Sequence, residues 1–362
     1  MPRIVSVGTY QSPFLTKQED VLDLARELFE DHFDDINRLL TVFENGQIHT
    51  RSLAVPLSWL KETHDWQAKN DMYIELATRF GCDAIRSCLT HDTFLKTAVD
   101  VQDIDAIIYI SSTGLSTPSI EAKIMNELQF HPHTKRIPIW GLGCAGGAAG
   151  LARAYEYCLA YPKAKVLVLT TELCSLTFLH HDKSKSNLVG SSLFSDGVAC
   201  ALIVGDDTDM KMLQSRPYPY IRGAESTLMP HSEGVMGWNV TNEGLQVVFS
   251  RDIPHIVRQW LKPNIEEFLQ QFGLDVSFIR HFVAHPGGRK VLEAYQHALG
   301  FEPWMIDTSS DILKKYGNMS SATVLYVLQQ FMESVRRERD LGLITALGPG
   351  FSSELLLVEW TS

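Results

Sequence analysis

Long apolar runs are missing from this 362-residue sequence. No stretch approaches the roughly 18 apolar residues that a membrane helix requires, so no membrane span is expected. Paired cysteines are missing as well. Cys82, Cys88, Cys144, Cys158, Cys174 and Cys200 show no C-x-x-C spacing, so neither a disulfide framework nor a metal site is expected. Positive charge is scarce: 32 Lys and Arg stand against 43 Asp and Glu, a formal net charge of -11. That balance argues against nucleic acid as a partner, because phosphate binding needs concentrated cations. It still allows a small basic mouth for one anionic ligand. The opening MPRIVSVGTYQSP has too short an apolar stretch for a secretory signal. A cytoplasmic, reducing setting is expected.

What is present is ordinary globular material, with 45% hydrophobic and 21% charged residues. The length suggests two domain-sized units. Arg3–Thr9, Ala106–Ser111, Ile137–Leu142 and Lys165–Thr171 read as strands, several of them covered on both faces. Helices are expected over Asp20–Phe33, Lys69–Leu89 and Ser119–Leu128, with another beginning near Ala145. In the second half, helices are expected over Ile253–Phe272, Val291–Leu299 and Ala322–Arg337. Strands are expected at Phe282–Ala284, Leu343–Leu347 and Glu354–Glu359. Strands alternating with helices imply an α/β architecture. The polar, proline-containing Asp206–Pro219 marks a junction, giving an N-terminal half over 1–210 and a C-terminal half over 211–362.

Three residues at glycine-marked turns could carry chemistry. Cys144 sits in WGLGCAGGAAGLARAYEY, where a strand gives way to a small-residue helix start. A helix N-terminus favours the thiolate, and the glycines and alanines at 145–149 would let a thioester approach the backbone. A buried structural cysteine is the competing reading. His285, in HFVAHPGGRK, ends an apolar strand and is placed to act as a base or imidazolium partner. The competing reading is a strand-end histidine satisfied by backbone. His32 and His180-His181 look like surface residues. Asn318, in KKYGNMSSATVLY, reads either as an ordinary helix cap or as an amide donor to an oxyanion. Gly348-Pro349-Gly350 reads first as a turn. Together the three form a possible Cys-His-Asn site. Papain-like proteases use the same residue types, but this cysteine is mid-chain and lacks their local motif.

At GLGCAGG, AHPGG, YGNMSSA and LGPG, and also in SLFSDGVACALIVGD and SSTGLSTPS, the sequence resembles the type III polyketide synthases, relatives of plant chalcone synthase in the thiolase-like superfamily. The resemblance covers nearly the whole chain and is nearest to the bacterial alkylpyrone synthases. It implies a homodimer of thiolase-like, five-layered αβαβα subunits built from two similar halves. It also implies acyl-CoA and malonyl-CoA as substrates and no metal or organic cofactor. Cys144 would carry the acyl chain and His285 would keep it as thiolate. His285 and Asn318 would bind the malonyl thioester oxygen. Decarboxylation of malonyl leaves an enolate, so the site needs oxyanion donors rather than a strong base.

By the same resemblance Phe194 is a gatekeeper between a CoA tunnel and the reaction cavity; a plain core phenylalanine is the alternative. Ser112, Thr117, Cys174, Thr177, Val247 and Ser320 would shape the cavity. Ser112 and Cys174 stand where plant chalcone synthases have threonine. Thr117 replaces a methionine that reaches across the dimer, and Val247 replaces a phenylalanine. Smaller walls suggest room for a long alkyl starter. Of three basic residues that grip CoA in the plant enzymes, only Arg38 has a counterpart, with Thr41 and Asn45 in the other places. Arg289 and Lys290 could compensate. The alternatives are a ketoacyl-ACP synthase of the FabH type making one condensation, a chalcone or stilbene type with an aromatic starter, and a non-catalytic acyl-CoA binder. A hydroxymethylglutaryl-CoA synthase is disfavoured, because the carboxylate it would place at the Asn318 position would repel an enolate.

Overall fold

The computed structural model describes every residue except Gln11, Arg251, Val335 and Arg336. In the first half the strands are β1 (Arg3–Tyr10), β2 (Phe14–Lys17), β3 (Thr50–Leu53), β4 (Ala106–Ser111), β5 (Lys135–Trp140), β6 (Lys165–Leu173) and β7 (Asp196–Val204). The second half holds β8 (Tyr218–Leu228), β9 (Met236–Thr241), β10 (Gly244–Phe249), β11 (Ile279–Ala284), β12 (Leu341–Gly348) and β13 (Ser352–Thr361). Nine of them form one mixed sheet in the order β11-β12-β13-β8-β1-β7-β6-β4-β5. The runs AIIYIS in β4 and DGVACALIV in β7 are buried throughout, as continuous apolar strands must be when both faces are covered.

Two helices are wrapped by this sheet. The helix Gly146–Ala160 packs on β4, β6 and β7 and also on β8, β12 and β13. The helix Thr323–Glu333 packs on β1, β7, β11 and β12. The long helix Trp66–Leu89 covers the outer side of β1, β6 and β7, and Lys262–Gln270 covers β13. The layers run helix, sheet, helix, sheet, helix, the expected αβαβα arrangement. Close packing of the central helix explains its small residues. A Cβ on Gly147 would lie 2.2 Å from the Ser321 carbonyl oxygen, and one on Gly146 would lie 2.6 Å from Ile110. The glycines expected to clear room for a thioester are therefore filled by neighbouring backbone and aliphatic side chains.

Boundaries differ from expectation where turns intervene. The first helix runs Gln18–Phe29 and closes in a tighter turn, Glu30–His32. The expected Ile253–Phe272 helix is interrupted by a wider turn at Val257–Leu261. The last helix stops at Glu333, and residues 335 and 336 of the expected span lie outside the described residues. The expected junction holds the turn between β7 and β8. The sheet continues across it, because β1 pairs antiparallel with both, Arg3 lying opposite Val204 and Tyr220. Among the described residues no helix is long and apolar enough to cross a membrane.

Candidate active site

The chain leaves β5 through Gly141 and Gly143, at φ values of +93° and +47°. It then makes a tight turn, Gly143–Ala145, and enters the helix Gly146–Ala160. Gly143 is required twice over, since a Cβ would also meet Pro349 at 2.7 Å. The Gly348-Pro349-Gly350 loop thus lies directly against the turn. The Gly143 N–H donates to Ser112 Oγ at 3.0 Å, which fixes the turn from behind. Cys144 is 5% exposed, and its sulfur lies 3.7 Å from Ser320 Oγ.

His285 follows β11, its backbone N–H continuing the ladder to the Thr345 carbonyl at 2.8 Å. Its ring is 1% exposed, and neither ring nitrogen has a hydrogen-bond partner among the described residues. Two orphaned nitrogens at one buried ring are what a ligand site requires. Asn318 uses its Oδ1 to accept from the Ser320 N–H at 2.8 Å, and its Nδ2 donates to the Gly287 carbonyl at 3.2 Å. The amide therefore does organise the following turn, as an ordinary cap would. That bonding also fixes its face, and the second Nδ2 hydrogen is left for another acceptor. Cys144, His285 and Asn318 line one cavity of about 570 Å³, together with Leu193, Phe249, Lys185 and Lys290.

Burial bears on the charge of both reactive groups. It pushes the Cys144 thiol up to about 12, with Ser320 and Asn318 pulling the other way and nearby Glu172 adding to the rise. It pushes the His285 imidazole down to about 3. Burial alone therefore favours the neutral thiol and the neutral imidazole. Moving the thiol proton to His285 creates two opposite charges in one pocket, each offsetting part of the other's desolvation.

Glu172, at the end of β6, was absent from the sequence reading. Its carboxylate accepts from the Ser112 N–H at 3.0 Å and from Ser321 Oγ at 2.6 Å, joining the segments that flank Cys144. Burial raises it from 4.5 to about 7. A carboxyl raised on folding contributes stability that is complete below its unfolded value and is lost as pH rises through the folded one. Glu172→Gln is therefore expected to flatten the stability profile between pH 4.5 and 7, removing a loss of about 3 kcal/mol. Thermal unfolding at pH 5 and pH 8, beside the wild type, measures this; parallel profiles would refute it.

Phe194 divides the interior. It lines a small space of about 30 Å³ with Cys144, Ser320, Trp238, Val247 and Pro349. It also lines an apolar cavity of about 70 Å³, walled by Val21, Leu24, Ala25, Leu28, Cys174 and Thr177 among others. Its ring stacks on Phe249 at 5.4 Å and meets Trp238 at 6.2 Å, both from the β9–β10 hairpin.

The remaining expected residues separate. Cys174, Thr177 and Val247 line the apolar cavity, and Val247 and Ser320 line the small space. Ser112 lines none of the cavities described, and its hydroxyl accepts from the Gly143 N–H. Thr117 is exposed on the loop after β4 and lines none of the cavities described. Arg38 is exposed and paired with Asp35 at 3.6 Å, and Arg289 is held by Glu293 at 2.7 Å. The cations at the large cavity are instead Lys290 and Lys185, the latter missed because a lysine in HHDKSKSN reads as a solvated loop residue. His180 is half-buried, its Nε2 2.8 Å from the Leu60 carbonyl oxygen, rather than a free surface histidine. Among the described residues no cluster of three or more His, Cys, Asp or Glu could hold a metal.

Known proteins resemble the chain over its whole length. Residues 57–208 match the family described as chalcone and stilbene synthases, N-terminal domain, and residues 220–361 match its C-terminal domain. A Bacillus subtilis protein whose name groups it with chalcone synthases is 51% identical over 361 residues, 99% of each chain. The alpha-pyrone synthesis polyketide synthase-like Pks18 of Mycobacterium tuberculosis is 28% identical over 353 residues, 95% of this chain and 88% of that one. The crystal structure of 1,3,6,8-tetrahydroxynaphthalene synthase from Streptomyces coelicolor, a bacterial type III polyketide synthase, superposes with a TM-score of 0.89 at 28% identity, covering 99% of both chains. The chain belongs to the chalcone and stilbene synthase family: it is a type III polyketide synthase, an acyltransferase that condenses malonyl-CoA and needs no cofactor.

Proposed function

We propose that the enzyme loads a long-chain fatty acyl group from its CoA ester onto Cys144, extends it iteratively with malonyl units and releases alkylpyrones. The observation that carries the chemistry is the single cavity holding Cys144, Asn318 and the two orphaned nitrogens of His285. His285 takes the thiol proton, and the Cys144 sulfur attacks the starter thioester, expelling CoA as thiol. Malonyl-CoA then loses carbon dioxide, and the enolate oxygen is held by His285 and Asn318. The enolate carbon attacks the Cys144-bound carbonyl, forming the new carbon–carbon bond and freeing the sulfur.

The starter assignment rests on the apolar cavity behind Phe194, whose Val21, Leu24, Ala25 and Leu28 come from one helix and suit an alkyl tail. The M. tuberculosis relative, by its name, makes alpha-pyrones. Incubation with malonyl-CoA and a panel of acyl-CoA starters, followed by mass spectrometry, tests this. Alkyl triketide and tetraketide pyrones are expected. Turnover of p-coumaroyl-CoA with fatty acyl esters ignored would overturn it, and a single condensation on a carrier protein would favour the FabH-type reading.

Lys185 and Lys290, at the large cavity, receive the CoA phosphates in this reading. Replacing both with alanine is expected to raise the Michaelis constant for CoA esters about five- to tenfold with little change in turnover, since only ground-state binding is lost. Steady-state kinetics at low salt decides it.

The two halves, 1–210 and 211–362, meet at Asp206–Pro219, and we place the working unit in the cytoplasm as a homodimer. The dimer is supported by the edge strand β5, which pairs on one side only. At its end Trp140 is 47% exposed, and Leu115 on the Thr117 loop is 44% exposed.

A further inference from the structure

Arg51, on the short strand β3, is buried, and its hydrogen bonds hold the segments around the gate. Its Nη1 donates to the Ser191 carbonyl oxygen at 2.7 Å and to Gln18 Oε1 at 3.3 Å. Its Nη2 donates to the Phe194 carbonyl oxygen, and its Nε donates to Ser195 Oγ at 3.0 Å. The same guanidinium lies in the wall of the apolar cavity. Burial lowers it to about 10, so it remains a cation at neutral pH, with buried Asp196 nearby as counter-charge.

The oxyanion donor is tied to the same anchor. Gly317, at φ +76°, sits so close that a Cβ would lie 2.2 Å from Ser195 Oγ and 3.1 Å from Arg51 Cδ. The next residue, Asn318, is bridged to the gate by backbone bonds. The Ser195 N–H donates to the Asn318 carbonyl at 2.8 Å, and the Asn318 N–H donates to the Leu193 carbonyl at 3.0 Å. One planar fork therefore fixes Phe194 and braces the turn that presents Asn318. A lysine would keep the charge but could not span these acceptors.

We infer that Arg51 is a positioning residue that holds Phe194 and Asn318 in one register, and so decides whether a malonyl-derived enolate extends the chain or is wasted. The inference rests on the polyketide reading above. When the two are out of register, malonyl-CoA still loses carbon dioxide, but the enolate carbon takes a proton from solvent and leaves as acetyl-CoA. A misplacement of about 1 Å costs on the order of 100-fold in the bond-forming step.

The test compares wild type with Arg51→Lys, following three quantities. They are acyl loading of Cys144 by intact mass, the ratio of acetyl-CoA to polyketide, and thermal stability. Arg51→Lys is expected to load within about twofold of wild type while the wasted fraction rises about tenfold or more. An unchanged ratio, or loading and extension falling in equal proportion, overturns the inference. If Arg51→Lys does not fold, Ser195→Ala removes one contact of the fork. A rise of about two- to fivefold in the wasted fraction is then expected, and no rise overturns the inference. A wild-type enzyme that neither loads nor extends would overturn the functional reading, and this role with it.

Discussion

Cys144→Ala is expected to make no polyketide, a loss of at least about 1,000-fold, while malonyl-CoA still loses carbon dioxide slowly. The split follows from the division of labour in the cavity. The carbon–carbon bond needs a tethered acyl group, and in the proposed reaction the buried sulfur of Cys144 holds it. Decarboxylation needs only donors for the enolate oxygen, and His285 and Asn318 remain. Alanine barely changes the packing of the turn, which is held by Gly143, Ser112 and the Pro349 loop. Product mass spectrometry beside a carbon dioxide assay separates the two steps. Polyketide at the wild-type level would mean that another group carries the chain.

His285→Ala is expected to slow alkylation of Cys144 by iodoacetamide at pH 7 by about 100-fold or more, and to change the shape of its pH profile. Burial pushes the thiol up to about 12, so without a proton acceptor almost none is thiolate at neutral pH. The rate in the variant should then climb tenfold per pH unit up to that value. In the wild type the imidazole, itself held neutral by burial, can take the proton, and the profile should be shallow from pH 6 to 9. Identical rates and slopes in the two proteins would show that His285 does not activate the sulfur.

How much of this could be read from residues alone depended on how locally each feature is written. The nucleophile turn is local: glycines flank Cys144 between an apolar strand and a small-residue helix, and the structure has that turn. The buried strands β4 and β6 were legible for the same reason, as apolar runs of the right length. The hairpin β9–β10 was overlooked, although MGWNVT and GLQVVF flank an Asn-Glu pair that reads as a turn. Its burial does not alternate, β9 running from half-buried to exposed and β10 from buried to half-buried, so neither strand has the period-two apolar signal. Arg51 and Glu172 were invisible for a different reason. A charged residue in a strand reads as solvent-facing, and only the arrival of segments distant in the chain, up to 144 residues away for Arg51 and 149 for Glu172, supplies its partners. Lys185 and Lys290 show the converse: the chain position of a lysine does not say which cavity it faces.

The seam between β1 and β8 bears on how the protein is made. β1 is synthesised well before its neighbours β7 and β8, which begin at Asp196 and Tyr218. For nearly two hundred residues of synthesis this apolar strand has no ladder to join, and its pairing belongs to the slow, long-range class of contacts. Once seated it has partners on both sides, one from each half. Clipping it away would leave two raw strand edges facing each other in the middle of the molecule, so expression of a chain shortened by its first ten residues should yield aggregate rather than a weakened enzyme.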